Sequence, residues 1–228
     1  VPTALRNTFN ANTIISVQNV DSVAADFQLV FVPVSGSNIV VETLDVPAYA
    51  TRYYDLAQMP VFTGPFNGSV QVFAFKAGTT NPGSAVASAM ELRTNATGAS
   101  AFEATNDFAT TVYMPSALCL FNGVQTSSYA VQNTTDADVT VSVTYDSGVV
   151  DGPHTLAPGA KRSFNACDGG NDPGYIGSAV IEASGDVVAM GKVFGGGLST
   201  AFLGFTSGAS KVALPYVRWT TEHWYDGT

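Results

Sequence analysis

The chain has 228 residues, 46% hydrophobic and only 12% charged, with a net charge of −9 and an isoelectric point near 4.4. That balance excludes intrinsic disorder, which needs high charge and few apolar residues. It also excludes a nucleic-acid partner, because unclustered acidic charge repels a phosphate backbone. No apolar run spans a membrane, since the best stretch, Ala179 to Leu198, is interrupted by Glu182, Asp186 and Lys192.

The chain opens on Val1-Pro2-Thr3-Ala4-Leu5 and reaches a first strand that ends in Val17-Gln18-Asn19. A short polar stretch, Val20-Asp21-Ser22, then leads to Ala25–Val32, which is apolar on nearly both sides, as a covered strand is. Two strand-like runs joined by so short a link predict a hairpin. Phe66-Asn67-Gly68-Ser69-Val70 opens the next strand, which continues to Lys76. Val86 to Leu92 follows, with no decisive period to separate strand from short helix, and then Ala101-Phe102.

The same four landmarks then return in the same order: Met114-Pro115-Ser116-Ala117-Leu118, Val131-Gln132-Asn133, Tyr175-Ile176-Gly177-Ser178-Ala179 and Ala201-Phe202. Asp138 to Tyr145 alternates apolar and polar residues at period two, the mark of a strand with one wet face. Thr134-Thr135-Asp136 again predicts a hairpin, and Ser178–Ala183 and Val187–Val193 read as separate strands. Pro158-Gly159, the Gly-rich run from Asp168 to Gly174, and Gly195-Gly196-Gly197 mark turns. Shared order with small length differences in loops defines an internal repeat of roughly a hundred residues. About seven strands per repeat predict an all-β protein built of two tandem antiparallel β-sandwich units, 1–113 and 114–213, with 214–228 as an extra strand.

The Pro segment occurs a third time, as Leu214-Pro215-Tyr216-Val217, in a tail that carries both tryptophans, Trp219 and Trp224, together with Tyr225. Such aromatic area in water is costly, so the tail is expected to be covered. Three placements are open to it: insertion into the sheet of a neighbouring molecule, the start of a further unit, or a fold-back onto the second unit. In the first, Leu214, Tyr216, Val217, Trp219, Trp224 and Tyr225 form the inter-subunit strand.

Candidate chemistry is sparse. Cys119 and Cys167 both fall in the second unit, and a disulfide between them suits an oxidising compartment. His154 and His223 lack a nucleophile motif, and no G-x-S-x-G elbow is present, so catalysis and cofactors are not expected. Asp146 with Asp151, and Asp168 with Asp172, are weak calcium candidates, turn formation being the plainer role. Asn67, Asn95 and Asn133 stand in glycosylation sequons.

The tandem units, the Val-Gln-Asn strand ends and the Gly-Ser strand starts resemble the immunoglobulin-like β-sandwich repeats of bacterial and archaeal surface proteins. Subunits of pili and biofilm fibres with similar compositions polymerise by strand donation. The resemblance implies a non-enzymatic extracellular subunit, partnered by copies of itself in a filament or surface layer. The departure is that the orphan strand here is C-terminal, whereas donor strands of chaperone-assisted pilins are N-terminal. The alternative is a carbohydrate- or receptor-binding surface module, with Trp219, Trp224 and Tyr225 as a platform for surface glycans.

Overall fold

The computed structural model describes residues 1–94 and 98–212, and among them the fold is all-β with every ladder antiparallel. The strands are β1 (Ala4–Arg6), β2 (Ala11–Asn19), β3 (Ala25–Pro33), β4 (Ile39–Val46), β5 (Thr51–Asp55), β6 (Phe66–Lys76), β7 (Ala85–Arg93) and β8 (Ala99–Glu103). The second half holds β9 (Ala109–Cys119), β10 (Thr126–Asn133), β11 (Val139–Tyr145), β12 (Val150–Leu156), β13 (Lys161–Asn165), β14 (Tyr175–Gly195) and β15 (Leu198–Leu203).

The first eight strands form two sheets, ordered β1-β6-β3-β4 and β5-β2-β7-β8. Alternation of side chains sends Phe27, Leu29 and Phe31 of the one sheet and Ile15 and Val17 of the other into a shared core. Edge-to-face packing of Phe31 on Phe62 and Phe66, with centroids 5.1 and 6.0 Å away, closes one end of it.

The second half repeats this connectivity strand for strand. β9 takes the place of β1, β10 of β2, β11 of β3, β12 of β4, β13 of β5 and β15 of β8. The 21-residue β14 serves in both sheets at once: its first half pairs with β9 and β11, as β6 does with β1 and β3, and its second half pairs with β10 and β15, as β7 does with β2 and β8. The two strands expected over Ser178–Ala183 and Val187–Val193 are therefore one, with a register break against β9 between Glu182 and Val187. The registers coincide residue by residue. Ala4 faces Gly68 where Ala117 faces Gly177, and Ala89 faces Phe102 where Gly191 faces Phe202. A side chain at Gly68 would collide with the Val32 carbonyl, and one at Gly177 with the Asp146 carboxylate. That close approach is the reason both Gly-Ser landmarks carry glycine.

The predicted hairpins do not form. β2 pairs with β5 and β7, whereas β3 pairs with β4 and β6, so the chain crosses from one sheet to the other after Asn19. The fully buried Asn19 side chain makes this crossing. Its Nδ2 donates toward the Val23 carbonyl (2.8 Å) in the β2–β3 link and the Val46 and Pro47 carbonyls (both 3.1 Å) at the β4–β5 link, while Oδ1 accepts from Asp21 N–H (2.9 Å). Asn133 does the same between Ala137 O (2.7 Å) and Leu156 O (3.0 Å), accepting from Thr135 N–H (2.8 Å). One amide thus satisfies main-chain groups of two sheet-crossing links that a buried backbone cannot leave unpaired. Asn19→Ala and Asn133→Ala should each lower the unfolding free energy by about 2–3 kcal/mol, measured by urea titration. A loss of only a few tenths would show that water replaces the amide.

Candidate functional site

The most elaborate chemistry outside the two cores lies where the repeats meet. The outward face of β10 and the second half of β14 points Ala130, Gln132, Val188 and Met190 at the first repeat, and all four are buried. Ala130 and Met190 join the core cluster of the first repeat. The receiving surface is the β1–β6 edge, where Ser69 Oγ donates to Gly159 O at 2.6 Å. Gln132 Nε2 donates to the same carbonyl at 3.3 Å. β8 and β15 also pack side by side across this junction, and Thr206 Oγ1 donates to Asp107 Oδ2 at 2.7 Å beside them.

Three charges sit inside the junction. Glu91 of β7 forms an ion pair with Lys192 of β14, and Lys161 of β13 lies beside them with its ammonium 3.5 Å from Thr3 Oγ1. Burial pulls the Lys161 amine down to about 8, helped by the neighbouring Lys192 charge and opposed by Glu91. Burial also lowers Lys192, against the pull of Glu91. The three line one wall of a cleft of about 770 Å³, with Asp151, Arg162 and Asp168 also lining it. At the equivalent positions the first repeat has Thr51 for Lys161 and Met90 for Lys192, and the second has Val193 for Glu91. The charges are thus particular to this docking.

The sequence-predicted residues are placed as follows. Cys119, at the end of β9, is bonded to Cys167, beyond β13, across a sequence separation of 48. At the corresponding places the first repeat has Arg6, whose Nη1 donates to Gly64 O at 2.6 Å, and Ala57. Asp146 accepts from Tyr175 Oη (2.5 Å) and from Ser178 N–H (2.9 Å), and the tyrosine hydroxyl holds its carboxyl below the usual carboxylate range. Asp151 is 2.7 Å from His154 Nε2, and Asp172 O accepts from Tyr175 N–H at 3.1 Å. Among the described residues, these aspartates and Asp168 do not gather as a group of three with metal-binding geometry. Asn133 is buried, with its amide nitrogen donating to the Ala137 and Leu156 carbonyls. Asn67 lies within β6, opposite Leu5, with Oδ1 buried. Asn95 and the tail residues Leu214, Tyr216, Val217, Trp219, Trp224 and Tyr225 lie outside the described residues.

Sequence reasoning missed two features. The junction left no signal, because its residues come from β7, β13 and β14 and meet only in the folded chain. The other is the true start of β9. It begins at Ala109, five residues ahead of Met114, so the expected unit boundary after residue 113 falls inside a strand. A signal for it exists: Ala109-Thr110-Thr111-Val112 ahead of one Pro segment is matched by Ala209-Ser210-Lys211-Val212 ahead of the next.

Comparison of the chain with known protein families, curated proteins and solved structures returns no match.

The Lys161 environment sets a pH dependence. An amine whose folded value lies below its unfolded value of 10.5 binds fewer protons when folded, so stability rises as pH climbs from about 8 toward 10. Lys161→Met should stabilise the protein at pH 7 by about 1–3 kcal/mol and flatten that rise, read from thermal melts across the range. A Lys161→Met variant that melts lower at pH 7 would mean that the charge is held by a favourable field instead.

Proposed function

We propose that the protein is an extracellular structural subunit, two immunoglobulin-like sandwich units in tandem, that assembles head to tail with copies of itself into a filament or surface layer. A strand passed from the C-terminal end of one copy to a sheet edge of the next completes the contact. The observation that carries this reading is the asymmetry of the junction between the repeats. The second repeat docks through the outer face of β10 and β14, and the first receives it on a different surface, the β1–β6 edge. Such a heterologous contact repeats head to tail, and where its rotation does not close into a ring it produces a chain of subunits.

The unused half of the junction is exposed. On the first repeat, Ser16, Gln18, Val86 and Ser88 occupy the places of Ala130, Gln132, Val188 and Met190. Around them Tyr53 is 74%, Val86 55% and Met90 40% exposed. A sheet face with that much apolar area is suited to being covered. The Cys119–Cys167 disulfide supports an oxidising compartment. Charged side chains are only 12% of the residues, so most of the surface is free of charge where copies would pack.

Ser88→Arg puts a charge at the centre of this face without touching either core. Its expected effect is to weaken self-association by on the order of tenfold or more in sedimentation velocity, with the melting temperature unchanged. Association equal to that of the unaltered chain would show that the face is not an assembly surface.

A further inference from the structure

The cleft of about 770 Å³ at the junction is graded in depth. Thr3, Glu91 and Lys161 are buried at its floor, Ser128 and Lys192 are half-buried, and Phe9, Ser163 and Asp168 are exposed at its mouth. One wall continues the sheet face that docks on the first repeat. Strand alternation puts Lys161, Ser163 and Asn165 of β13 on that face, with Ser128 of β10 opposite Asn165 and Lys192 of β14 opposite Ser128. The facing wall comes from the first repeat, through Phe9 in the β1–β2 turn and Glu91 and Arg93 of β7. Arg93 Nη1 donates to Phe9 O at 3.2 Å and ties the turn to the strand. Phe9 itself holds left-handed backbone (φ 53°) and is 67% exposed. Such backbone is costly for a bulky residue, and here it holds an apolar ring face out at the mouth.

The charges of the cleft suit an anion, and a singly charged one. Lys161 is 6% exposed, and its ammonium, which has three donors to place, lies 3.5 Å from Thr3 Oγ1. Its amine, lowered to about 8, is protonated at pH 7. A Glu91–Lys192 pair alone would be balanced, so Lys161 gives the buried trio one net positive charge. Burying such a surplus is costly, and an anion set against Lys161 offsets the cost. The whole lining repeats the balance, with four cations, Arg93, Lys161, Arg162 and Lys192, against three carboxylates, Glu91, Asp151 and Asp168. That is a positive site in a chain of net charge −9. One carboxylate neutralises it, whereas a phosphate dianion overshoots and is repelled by Asp151 and Asp168. The hydroxyls of Ser128 and Ser163 stand on the same wall as Lys161, nearer the mouth, and suit a ligand with hydroxyls of its own.

We infer that the cleft between the repeats binds a sugar that carries one carboxylate. The carboxylate meets the Lys161 ammonium at the floor, the sugar hydroxyls meet Ser128 and Ser163, and the apolar face of the ring lies on Phe9 at the mouth. The volume is ordinary for a small-molecule site. An acidic side chain of a peptide would satisfy Lys161 but would leave the two serines and the ring of Phe9 without a role. This site is separate from the surfaces used for head-to-tail assembly and does not depend on that reading.

The test titrates the full chain by calorimetry at pH 7 with glucuronate, galacturonate, N-acetylneuraminate and tetragalacturonate. Glucose, glutamate and inorganic phosphate are the comparisons, which separate the carboxylate from the sugar hydroxyls and from charge alone. Expected is saturable binding of at least one acidic sugar, on the order of tenfold or more tighter than any comparison. The backbone amide shifts that accompany it in NMR spectra should fall on Phe9, Ser128 and Ser163. Lys161→Met, expected above to be the more stable protein, should weaken binding on the order of tenfold or more. Ser163→Asp, at an exposed position, should do the same with the melting temperature unchanged. Tetragalacturonate binding tighter than galacturonate would make the ligand a residue of a polysaccharide, and equal binding would make it a free sugar. The assignment is overturned if none of the acidic sugars binds, if binding survives either substitution, if the shifts fall away from the cleft, or if glutamate or phosphate binds as tightly.

Discussion

The architecture depends on a buried asparagine amide in each repeat. A chain that ends a strand at Asn19 or Asn133 and starts another a few residues later would ordinarily turn back into the same sheet. Here the amide reaches across and holds carbonyls from two separate links, Val23 and Val46 in one repeat, Ala137 and Leu156 in the other. Removing those carbonyls from water without a partner is costly, and the amide supplies it. Each clamp commits its two neighbouring strands to opposite sheets. The pairing of β2 with β5 and β7, the pairing of β3 with β4 and β6, and the core between them all follow from that commitment.

Once the same fold is laid down twice, the differences between the copies carry the information. In the second repeat β14 runs unbroken through both sheets and β9 covers its edge for its whole first half. In the first, the same path is split into β6 and β7. The outer sheet face is covered by a neighbour in the second repeat and exposed in the first. The internal junction is asymmetric: the second repeat contributes the outer face of β10 and β14, and the first contributes the β1–β6 edge.

The junction also explains where the charges of a charge-poor chain are spent. Glu91, Lys161 and Lys192 are buried together between repeats, a placement that hydrophobic residues of similar volume would make more stable. Misaligned docking would strand an unpaired charge, so the trio penalises alternative registers of one repeat on the other.

Much of this was legible in the amino-acid order. Period-two alternation identified the strand at Asp138–Tyr145, and the recurring landmarks paired Ala4 with Ala117, Gly68 with Gly177 and Phe102 with Phe202 in their correct structural roles. Such signals are local, because side-chain alternation and close glycine contacts are written within a few residues. Two things were decided only by the tertiary structure. Whether the link after Asn19 turns back or crosses depended on carbonyls 27 and 28 residues away. Whether Glu91 meets Lys192 depended on a contact spanning 101 residues. Each is a matter of which groups remain unpaired after the sheets have formed, and no local pattern records that.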